Sequence, residues 1–253
     1  MKNPLSIYVV QTDLVWENIN QNLLRMQWHI SRTESNSMIV LPEMFNTGFT
    51  MNSIDFAEPM DGLTVSWMKE MSHERCLCGS LAISENGRFY NRFLAIYNGA
   101  VIAQYDKRHL FSLGNEQIHY TPGDSSIRFE WNGWTFAPFI CYDLRFPEWI
   151  RREAGADVML FVANWPKSRN SAWNALLKAR AIENQCFVIG GNRVGTDELG
   201  FPHLGCSQII DYVGSHLVAP IENREVLIHQ VLEAGPMHRF REKYPFLNDI
   251  HPL

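Results

Sequence analysis

An apolar segment that stops abruptly at a cysteine constrains the fold of this chain more than any other feature. Residues 134–140 form this segment, Cys141 follows it, and after a few polar residues the run 146–153 has a helix-like pattern. This order predicts a strand, a turn and a helix, with the cysteine at the strand end. Such a corner can supply both a nucleophile and part of an oxyanion hole from its free backbone N–H groups. Taken alone, Cys141 is more simply interpreted as a small buried apolar residue.

Length and composition bound the class of protein. The chain has 253 residues, 46% of them hydrophobic, so we expect a large core and little disorder. No apolar run is long enough to span a membrane, and the N-terminus lacks the apolar segment of a signal peptide. The net charge of −5, with scattered Lys and Arg, argues against nucleic acids and anionic membranes as partners.

The cysteines indicate a reducing compartment. There are five, without the spacing of a disulfide framework, which favours free thiols in a cytoplasmic protein. Cys76 and Cys78 form a C-x-C pair inside an apolar run, with no second pair to complete a zinc site. We therefore interpret them as ordinary strand residues and expect no metal site.

Alternating apolar segments and helical patterns predict an α/β fold. Strands are predicted at 5–11, 38–41, 76–83, 92–97, 101–105, 127–131, 134–140, 158–163, 186–191, 205–210 and 225–232. Helices are predicted at 16–31, with Asp13 as its cap, at 61–74, 146–153 and 171–184, and before Pro245. Asn-Gly pairs predict hairpins, and no linker or repeat appears. We expect one domain, residues 1–253, with a mixed sheet or two sheets.

Other polar residues also stand at the ends of apolar strands. Glu43 follows the strand at 38–41, where partial desolvation favours proton uptake by a carboxylate and suits it to proton transfer, unless it simply ends the strand in solvent. Lys107 lies in a basic turn that is usually solvated, but a fixed ammonium there would stabilise an oxyanion and favour a thiolate. Glu116, in the long polar loop 106–124, is a weaker candidate.

These motifs, in this order, resemble those of the nitrilase superfamily of carbon–nitrogen hydrolases. The glutamate motif is Leu-Pro-Glu-Met-Phe at 41–45, the lysine motif is Tyr-Asp-Lys-Arg-His-Leu-Phe at 105–111, and the cysteine motif is Ile-Cys-Tyr-Asp-Leu-Arg-Phe-Pro-Glu at 140–148. Residues 179–185 and 191–195 are also similar to that family. The resemblance spans nearly the whole chain and makes Cys141 a nucleophile. Within the family, the chain looks most like the omega-amidases, which hydrolyse the terminal amides of 2-oxo acids.

The resemblance implies a chemical role for each motif residue. Glu43 would take the thiol proton, and Cys141 would attack the amide carbon. Lys107 and the backbone N–H of Tyr142 would hold the oxyanion, and Glu43 would then protonate ammonia and activate water. Glu116 would position Lys107 or the substrate. This mechanism requires neither a metal nor an organic cofactor.

The same resemblance implies a four-layer α-β-β-α sandwich and a homodimer that pairs helical faces. Trp149 and Trp173 are expected to be exposed aromatic residues that serve either packing or this interface.

Arg145, on the turn after Cys141, is the residue we expect to select the substrate. Its guanidinium matches a carboxylate bidentately, which lysine does less well. In the omega-amidases that this chain resembles, the equivalent arginine holds the acidic end of the substrate. The substrate would then be a short acid with an amide at its far end, such as 2-oxoglutaramate or 2-oxosuccinamate. Lys167 or Ser168, on the loop after Trp165, would assist at the acidic end.

Several alternatives stay open at this point. An N-carbamoyl amidase or a nitrilase would carry the same motifs, and a ligand-binding protein could keep the fold without catalysis. A papain-like enzyme would need a histidine base, for which His203 is a candidate without a recognisable setting. Arg145 could also form an ion pair with Asp143 or Glu148 and only brace the turn.

Overall fold

The computed structural model describes residues 2–250, and two β-sheets organise them. The strands are β1 (Leu5–Gln11), β2 (Ser37–Val40), β3 (Arg75–Glu85), β4 (Arg88–Tyr97), β5 (Ala100–Asp106), β6 (Phe129–Trp131), β7 (Trp134–Ile140), β8 (Val158–Ala163), β9 (Phe187–Asn192), β10 (Val194–Thr196), β11 (Pro202–Ile210), β12 (His216–Glu222) and β13 (Val226–Leu232). The first sheet has the order β13-β1-β2-β3-β4-β5. The second has the order β10-β11-β9-β8-β7-β6, with β12 paired to β11.

Seven helices accompany these strands within the described residues. They are α1 (Ile19–Ile30), α2 (Ser53–Phe56), α3 (Leu63–Met71), α4 (Glu116–His119), α5 (Pro147–Ile150), α6 (Asn170–Asn184) and α7 (Ala234–Lys243), with 3-10 turns at Ser112–Gly114, Cys141–Arg145, Arg151–Glu153, Lys167–Arg169 and Phe246–Asp249. α1 and α3 pack on the first sheet, and α6 packs on β9 and β11 of the second. These layers confirm the predicted four-layer α-β-β-α sandwich. None of the helices within residues 2–250 has both the length and the apolar character needed to cross a bilayer.

The first sheet is buried on both faces, which explains its nearly continuous apolar strands. In β1, Ile7 and Val9 join the core between the sheets, whereas Tyr8 and Val10 pack toward α1 and α3. Successive side chains of a strand point to opposite faces, so both faces must be apolar here. The same alternation places Cys76 and Cys78 of β3 in the core between the sheets, as their apolar setting predicted.

The strand directions position the site. β1, β2 and β3 are mutually parallel, and so are β7, β8 and β9. β4 is antiparallel to both of its neighbours, so β5 runs in the same direction as β3. Strands that run in one direction end at the same edge of their sheet. The residues after β2 and β5 therefore lie at one edge of the first sheet, and those after β7 and β8 lie at one edge of the second.

The start of α1 differs from the prediction. The helix begins at Ile19, and the side chain of Asn18 caps it by accepting a backbone hydrogen bond at 3.1 Å. Glu17 has a positive φ of 50°, so the backbone before the cap is not helical. Asp13, the predicted cap, lies outside the helix and pairs with Arg193 instead.

Two further differences come from proline. Residues 146–153, predicted as one helix, form the short helix α5 between two 3-10 turns. Pro147 occupies the first turn of α5, where its missing N–H is tolerated, but it cannot continue a helix from the preceding residues. β12 is absent from the sequence-based prediction because it contains Pro220. As an edge strand, β12 tolerates a residue that cannot donate to the ladder.

The expected exposure of two tryptophans is wrong. Trp149 is only 5% exposed and Trp173 is fully buried. Each indole N–H has a buried partner, the Tyr105 hydroxyl for Trp149 at 3.0 Å and the Cys206 carbonyl for Trp173 at 3.0 Å. Both side chains therefore serve packing within the chain.

Candidate active site

Two strand ends carry backbone strain beside acidic and nucleophilic side chains. Cys141, directly after β7, has a positive φ of 44°, and Met44, directly after Glu43, has a positive φ of 43°. This region is unfavourable for residues other than glycine and persists only where surrounding contacts impose it. At the cysteine corner, the Asp143 carboxylate accepts a hydrogen bond from the N–H of Ile140 at 3.1 Å. The sharp turn places Cys141 at the floor of a cavity.

A fully buried lysine joins two fully buried carboxylates at this floor. The Lys107 Nζ lies 2.8 Å from the Glu43 Oε1 and 2.9 Å from the Glu116 Oε2. All three side chains have no exposure to solvent. An ammonium has three donor positions, and two are used here, so one remains for a substrate atom. We name Glu43, Lys107 and Glu116 the buried charge cluster.

Two asparagines fix the carboxylate of Glu43. The side-chain amide of Asn91, on β4, donates to the Glu43 Oε1 at 2.8 Å and to the Glu116 Oε1 at 3.2 Å. The backbone N–H of Asn164, directly after β8, donates to the Glu43 Oε2 at 2.8 Å. Asn164 also donates from its side chain to the Glu43 carbonyl, so it connects the two sheet edges.

The electrostatics of the cluster favour a thiol at rest. Burial and the neighbouring Glu43 raise the pKa of the Cys141 thiol well above its usual value, with Lys107 opposing the shift. Burial alone would lower the pKa of Lys107, but Glu116 and Glu43 raise it above its usual value, so the ammonium stays charged. Burial, opposed by Lys107 and reinforced by Glu43, raises the pKa of Glu116. Proton transfer from Cys141 to Glu43 can therefore accompany attack on a substrate.

Asp143 ties the cysteine corner to the strand that carries Lys107. Its carboxylate accepts hydrogen bonds from the Tyr105 hydroxyl at 2.7 Å and from the backbone N–H of His109 at 2.9 Å. Tyr105 is on β5, two residues before Lys107, so one carboxylate sets the spacing between nucleophile and ammonium. The backbone N–H of Tyr142 lies in the first turn of the 3-10 helix, where N–H groups lack partners within the helix.

The ionisable group beside the thiol that could accept its proton is a carboxylate and not a histidine. His203 lines the cavity, but its ring contacts the carbonyl of Phe201 at 3.1 Å, and burial lowers its pKa to about 4. It is neutral near pH 7. The charged side chains that act on the pKa of the Cys141 thiol are Glu43, Lys107 and Glu116, and none of them is a histidine. This arrangement contradicts the papain-like alternative.

The cavity above Cys141 has a volume of about 350 Å³. That volume is near the lower end of the usual range for small-molecule sites, roughly 300–1,000 Å³. Its walls are mainly aromatic and apolar, from Trp16, Phe49, Met51, Phe111, Tyr142 and Trp165, and Leu113, Leu199 and Phe201 line it with largely exposed side chains. A small substrate can therefore be largely enclosed with its reacting carbon near Cys141.

Arg145 lines the same cavity and has no counter-charge. Its guanidinium lies 5.1 Å from the ring centroid of Trp165, and within residues 2–250 it forms no ion pair. Asp143 is occupied by Tyr105 and His109, and Glu148 makes no ion pair with Arg145. The alternative in which Arg145 only braces its turn is therefore contradicted.

The prediction for the loop after Trp165 needs correction. Lys167 and Ser168 are both exposed, and neither lines the cavity. Arg169, the last residue of the same 3-10 turn, lines it instead. The indole N–H of Trp165 donates to the Arg169 carbonyl at 2.8 Å, and this bond fixes which side of the turn faces the cavity.

Sequence reasoning missed Asn164, although a signal was present. Asn164 directly follows the fully buried strand β8, as Cys141 directly follows β7, and Glu43 comes three residues after the end of β2. A neutral amide gave less reason to suspect chemistry than a cysteine or a charged residue. Asn91, within β4, had no such signal. No group of three or more His, Cys, Asp or Glu side chains in the described part of the chain is arranged to hold a metal ion.

Comparison with known proteins gives consistent matches. Residues 7–234 match the family model described as carbon-nitrogen hydrolase. The chain is 38% identical to Omega-amidase YafV of Escherichia coli (strain K12), over 97% of this chain and 96% of that protein. It is 33% identical to 2-oxoglutaramate amidase of Bacillus subtilis (strain 168), over 97% of each. The crystal structure of XC1258 from Xanthomonas campestris, a CN-hydrolase superfamily protein with an arsenic adduct in the active site, superposes with a TM-score of 0.95 and 36% identity over 99% of this chain and 98% of that one.

Proposed function

The chain belongs to the carbon–nitrogen hydrolase family, and we propose that it is an omega-amidase that hydrolyses the terminal amide of a short 2-oxo acid. The names of its relatives, Omega-amidase YafV and 2-oxoglutaramate amidase, support this substrate class. The observation that carries the proposal is the unpaired guanidinium of Arg145 in the cavity that contains Cys141. A neutral amide would leave that charge unpaired, whereas the carboxylate of an acid amide would pair with it.

The first half of the reaction forms a thioester. Glu43 accepts the proton of the Cys141 thiol while the sulfur attacks the amide carbon. The amide oxygen becomes an oxyanion, which Lys107 stabilises with its remaining N–H and Tyr142 stabilises with its backbone N–H. Glu43 returns the proton to the amide nitrogen, the carbon–nitrogen bond breaks, and ammonia leaves.

The second half releases the acid. Glu43 accepts a proton from water as the water oxygen attacks the thioester carbon, and the same two donors stabilise the second oxyanion. The carbon–sulfur bond then breaks, and Cys141 recovers its proton. The net reaction converts 2-oxoglutaramate and water into 2-oxoglutarate and ammonia. One carboxylate serves as base and acid in both halves, which its fixed position between Asn91 and Asn164 supports.

Glu116 positions Lys107 in this proposal. Its carboxylate binds the ammonium on one side and accepts the backbone N–H of Phe111 at 2.6 Å on the other. Glu116 therefore connects the buried charge cluster to the loop that forms part of the cavity wall.

We also propose that the chain acts as a single catalytic domain, forms a homodimer and works in the cytoplasm. Exposed apolar side chains on α6 and in the segment after α7 support the dimer. They include Ile182, 48% exposed, and Phe246, 60% exposed, and Tyr244 is tied to α6 by the side chain of Gln185 at 2.8 Å. All five cysteines are free thiols, which fits a reducing compartment. Light scattering of wild type and Ile182→Lys tests the dimer, and an unchanged mass in the variant would contradict this interface.

Release of ammonia from a panel of small substrates tests the function. The panel contains 2-oxoglutaramate, 2-oxosuccinamate, a neutral aliphatic amide, an N-carbamoyl amine and a nitrile. We expect the highest kcat/KM for the 2-oxo acid amides and no turnover by Cys141→Ala. A preference for the carbamoyl compound or the nitrile would identify one of the other activities considered for this family.

A further inference from the structure

A second guanidinium shares the cavity with Arg145. Arg169, at the end of the 3-10 turn Lys167–Arg169, is half-buried and lines the cavity. Its guanidinium lies 4.9 Å from the ring centroid of Phe111. Within residues 2–250 its side chain forms neither an ion pair nor a hydrogen bond. The neighbouring Lys167, by contrast, is exposed to solvent.

The two guanidiniums lack a counter-charge from the protein. The acidic side chains that line the cavity are Glu43 and Asp197. Glu43 is bound to Lys107, and Asp197 accepts backbone N–H groups of its own loop at 2.9 and 3.0 Å. Burial lowers the pKa of Arg169 below its usual value, an effect that Cys141 opposes and that the nearby positive charge of Arg145 reinforces. Unpaired like charges in a partly desolvated site are costly unless an anion joins them.

Each guanidinium lies over the ring of an aromatic residue, and a hydrogen bond holds each of these aromatic residues in place. The Arg145 guanidinium lies over the Trp165 ring, and the indole N–H of Trp165 donates to the Arg169 carbonyl at 2.8 Å. The Arg169 guanidinium lies over the Phe111 ring, and the backbone N–H of Phe111 donates to the Glu116 carboxylate at 2.6 Å. The pair is therefore placed relative to the buried charge cluster, so the distance from the cations to Cys141 is set by the fold.

We infer that Arg169 is a second substrate-binding residue, which acts with Arg145 to bind the adjacent carboxylate and 2-oxo oxygen of the substrate. This inference rests on the proposed function. One guanidinium fork can satisfy a carboxylate, and a second donor group is needed for an acceptor on the next carbon. A saturated acid amide lacks that acceptor. A 2-amino acid amide such as glutamine would place an ammonium beside two guanidiniums, and this repulsion disfavours its binding.

Substrate analogues separate the two arginines. Arg169→Gln is compared with wild type on 2-oxoglutaramate, on glutaramate, which lacks the 2-oxo group, and on a neutral amide. We expect kcat/KM for 2-oxoglutaramate to fall roughly 10- to 100-fold, as for loss of one hydrogen bond from a charged group, mainly through KM. The loss for glutaramate is expected to be smaller, so the preference for the 2-oxo acid shrinks, and the neutral amide is unaffected. Arg169→Lys, which keeps the charge and loses the fork, should recover part of the preference.

Arg88→Gln is the matched control, because it makes the same chemical change at an exposed position in β4 away from the cavity. It should change none of the three rates. Equal losses for both acids in Arg169→Gln, or an unchanged preference for the 2-oxo acid, would overturn the role of Arg169 while leaving the amidase proposal intact. If wild type itself hydrolyses the neutral amide as well as the acids, the proposed function fails, and this inference fails with it. Thermal unfolding of each variant excludes loss of fold as the cause.

Discussion

The two ends of the cavity differ in whether their charged side chains are paired with opposite charges. At the floor, Glu43, Lys107 and Glu116 have no exposure to solvent, and every charge has a partner within 3 Å supplied by the chain. At the other end, Arg145 and Arg169 are half-buried and rest on aromatic rings without any counter-charge in residues 2–250. The charges of the floor are paired before a substrate arrives, whereas in the proposed function an anion of the substrate pairs with Arg145 and Arg169, and we call this part of the cavity the recognition end.

We infer from this difference that the floor carries out the reaction and that the other end determines which substrate is preferred. A preorganised set of charges can stabilise the oxyanion of any amide, because its geometry does not depend on the rest of the substrate. The unpaired arginines give their binding energy only to a substrate that brings an anion to them. We therefore expect substitutions at the floor to affect all substrates and those at the recognition end to affect acids alone.

The largest effect is expected at Cys141. Cys141→Ala removes the nucleophile and should lower kcat by at least about 10⁴-fold for acidic and neutral amides alike, as for members of tightly coupled catalytic sets. An electrophilic amide analogue should label Cys141, with the adduct located by peptide mass spectrometry. The fully buried Cys76, Cys78 and Cys186 serve as internal controls. Labelling of one of these in place of Cys141, or retained activity in the variant, would rule out the thioester route.

The residues of the floor and Arg145 were predictable from the sequence, and Arg169 was not. Glu43, Lys107 and Cys141 each follow an apolar strand, but β2 and β5 belong to one sheet and β7 to the other, so the resemblance of the three motifs to one family, and not strand direction alone, groups them. The residue at 167–169 that faces the cavity depends on a 3-10 turn and on one hydrogen bond from Trp165. A bond from an indole N–H to a backbone carbonyl four residues later leaves no periodic trace in the sequence, so the sequence does not distinguish Arg169 from Lys167 and Ser168.

Lys107 offers the sharpest test of the floor. Lys107→Met removes one oxyanion donor, so kcat should fall by about 10²–10³-fold on every amide. It also leaves two buried carboxylates without a cation, which should lower the free energy of unfolding by about 3–5 kcal/mol. Steady-state rates and urea denaturation measure the two losses. Lys107→Arg keeps the charge but changes the donor geometry, so it should restore stability more than activity. Normal rates in either variant would remove Lys107 from the mechanism.

The same experiment at Arg145 should give the opposite combination. Arg145→Ala removes a cation that has no counter-charge within residues 2–250, so the free energy of unfolding should stay the same or rise slightly. Its kcat/KM for acid amides should fall by an amount equivalent to about 2–5 kcal/mol, while the rate for a neutral aliphatic amide is preserved. Equal losses on both kinds of substrate would show that Arg145 does not recognise the acidic group, against the proposed separation of catalysis from substrate recognition.

Glu116 tests whether the floor needs both carboxylates. Glu116→Gln keeps the size of the side chain but weakens its bonds to Lys107 and to the N–H of Phe111, so a loss in kcat of roughly 10-fold is expected, from about one charge-assisted hydrogen bond. Because Glu43 still binds Lys107, stability should fall less than in Lys107→Met. A variant with full kcat would mean that Glu116 only fills space beside the lysine.

The smallest effect is expected from His203, a neutral residue at the recognition end. Burial and the nearby Arg193 lower its pKa from the usual 6.5 to about 4, with Asp197 opposing them. The unfolded chain therefore takes up this proton at higher pH than the folded chain does. The stabilisation is complete above about pH 6.5 and is lost as the pH falls toward 4, which amounts to about 1 kcal/mol between pH 7.5 and 5.5. Denaturation at these two pH values should show a smaller difference in His203→Gln than in wild type. An identical difference in the two proteins would mean that protonation of His203 does not change the free energy of unfolding. The positive charge at the recognition end would then come from the arginines alone at both pH values.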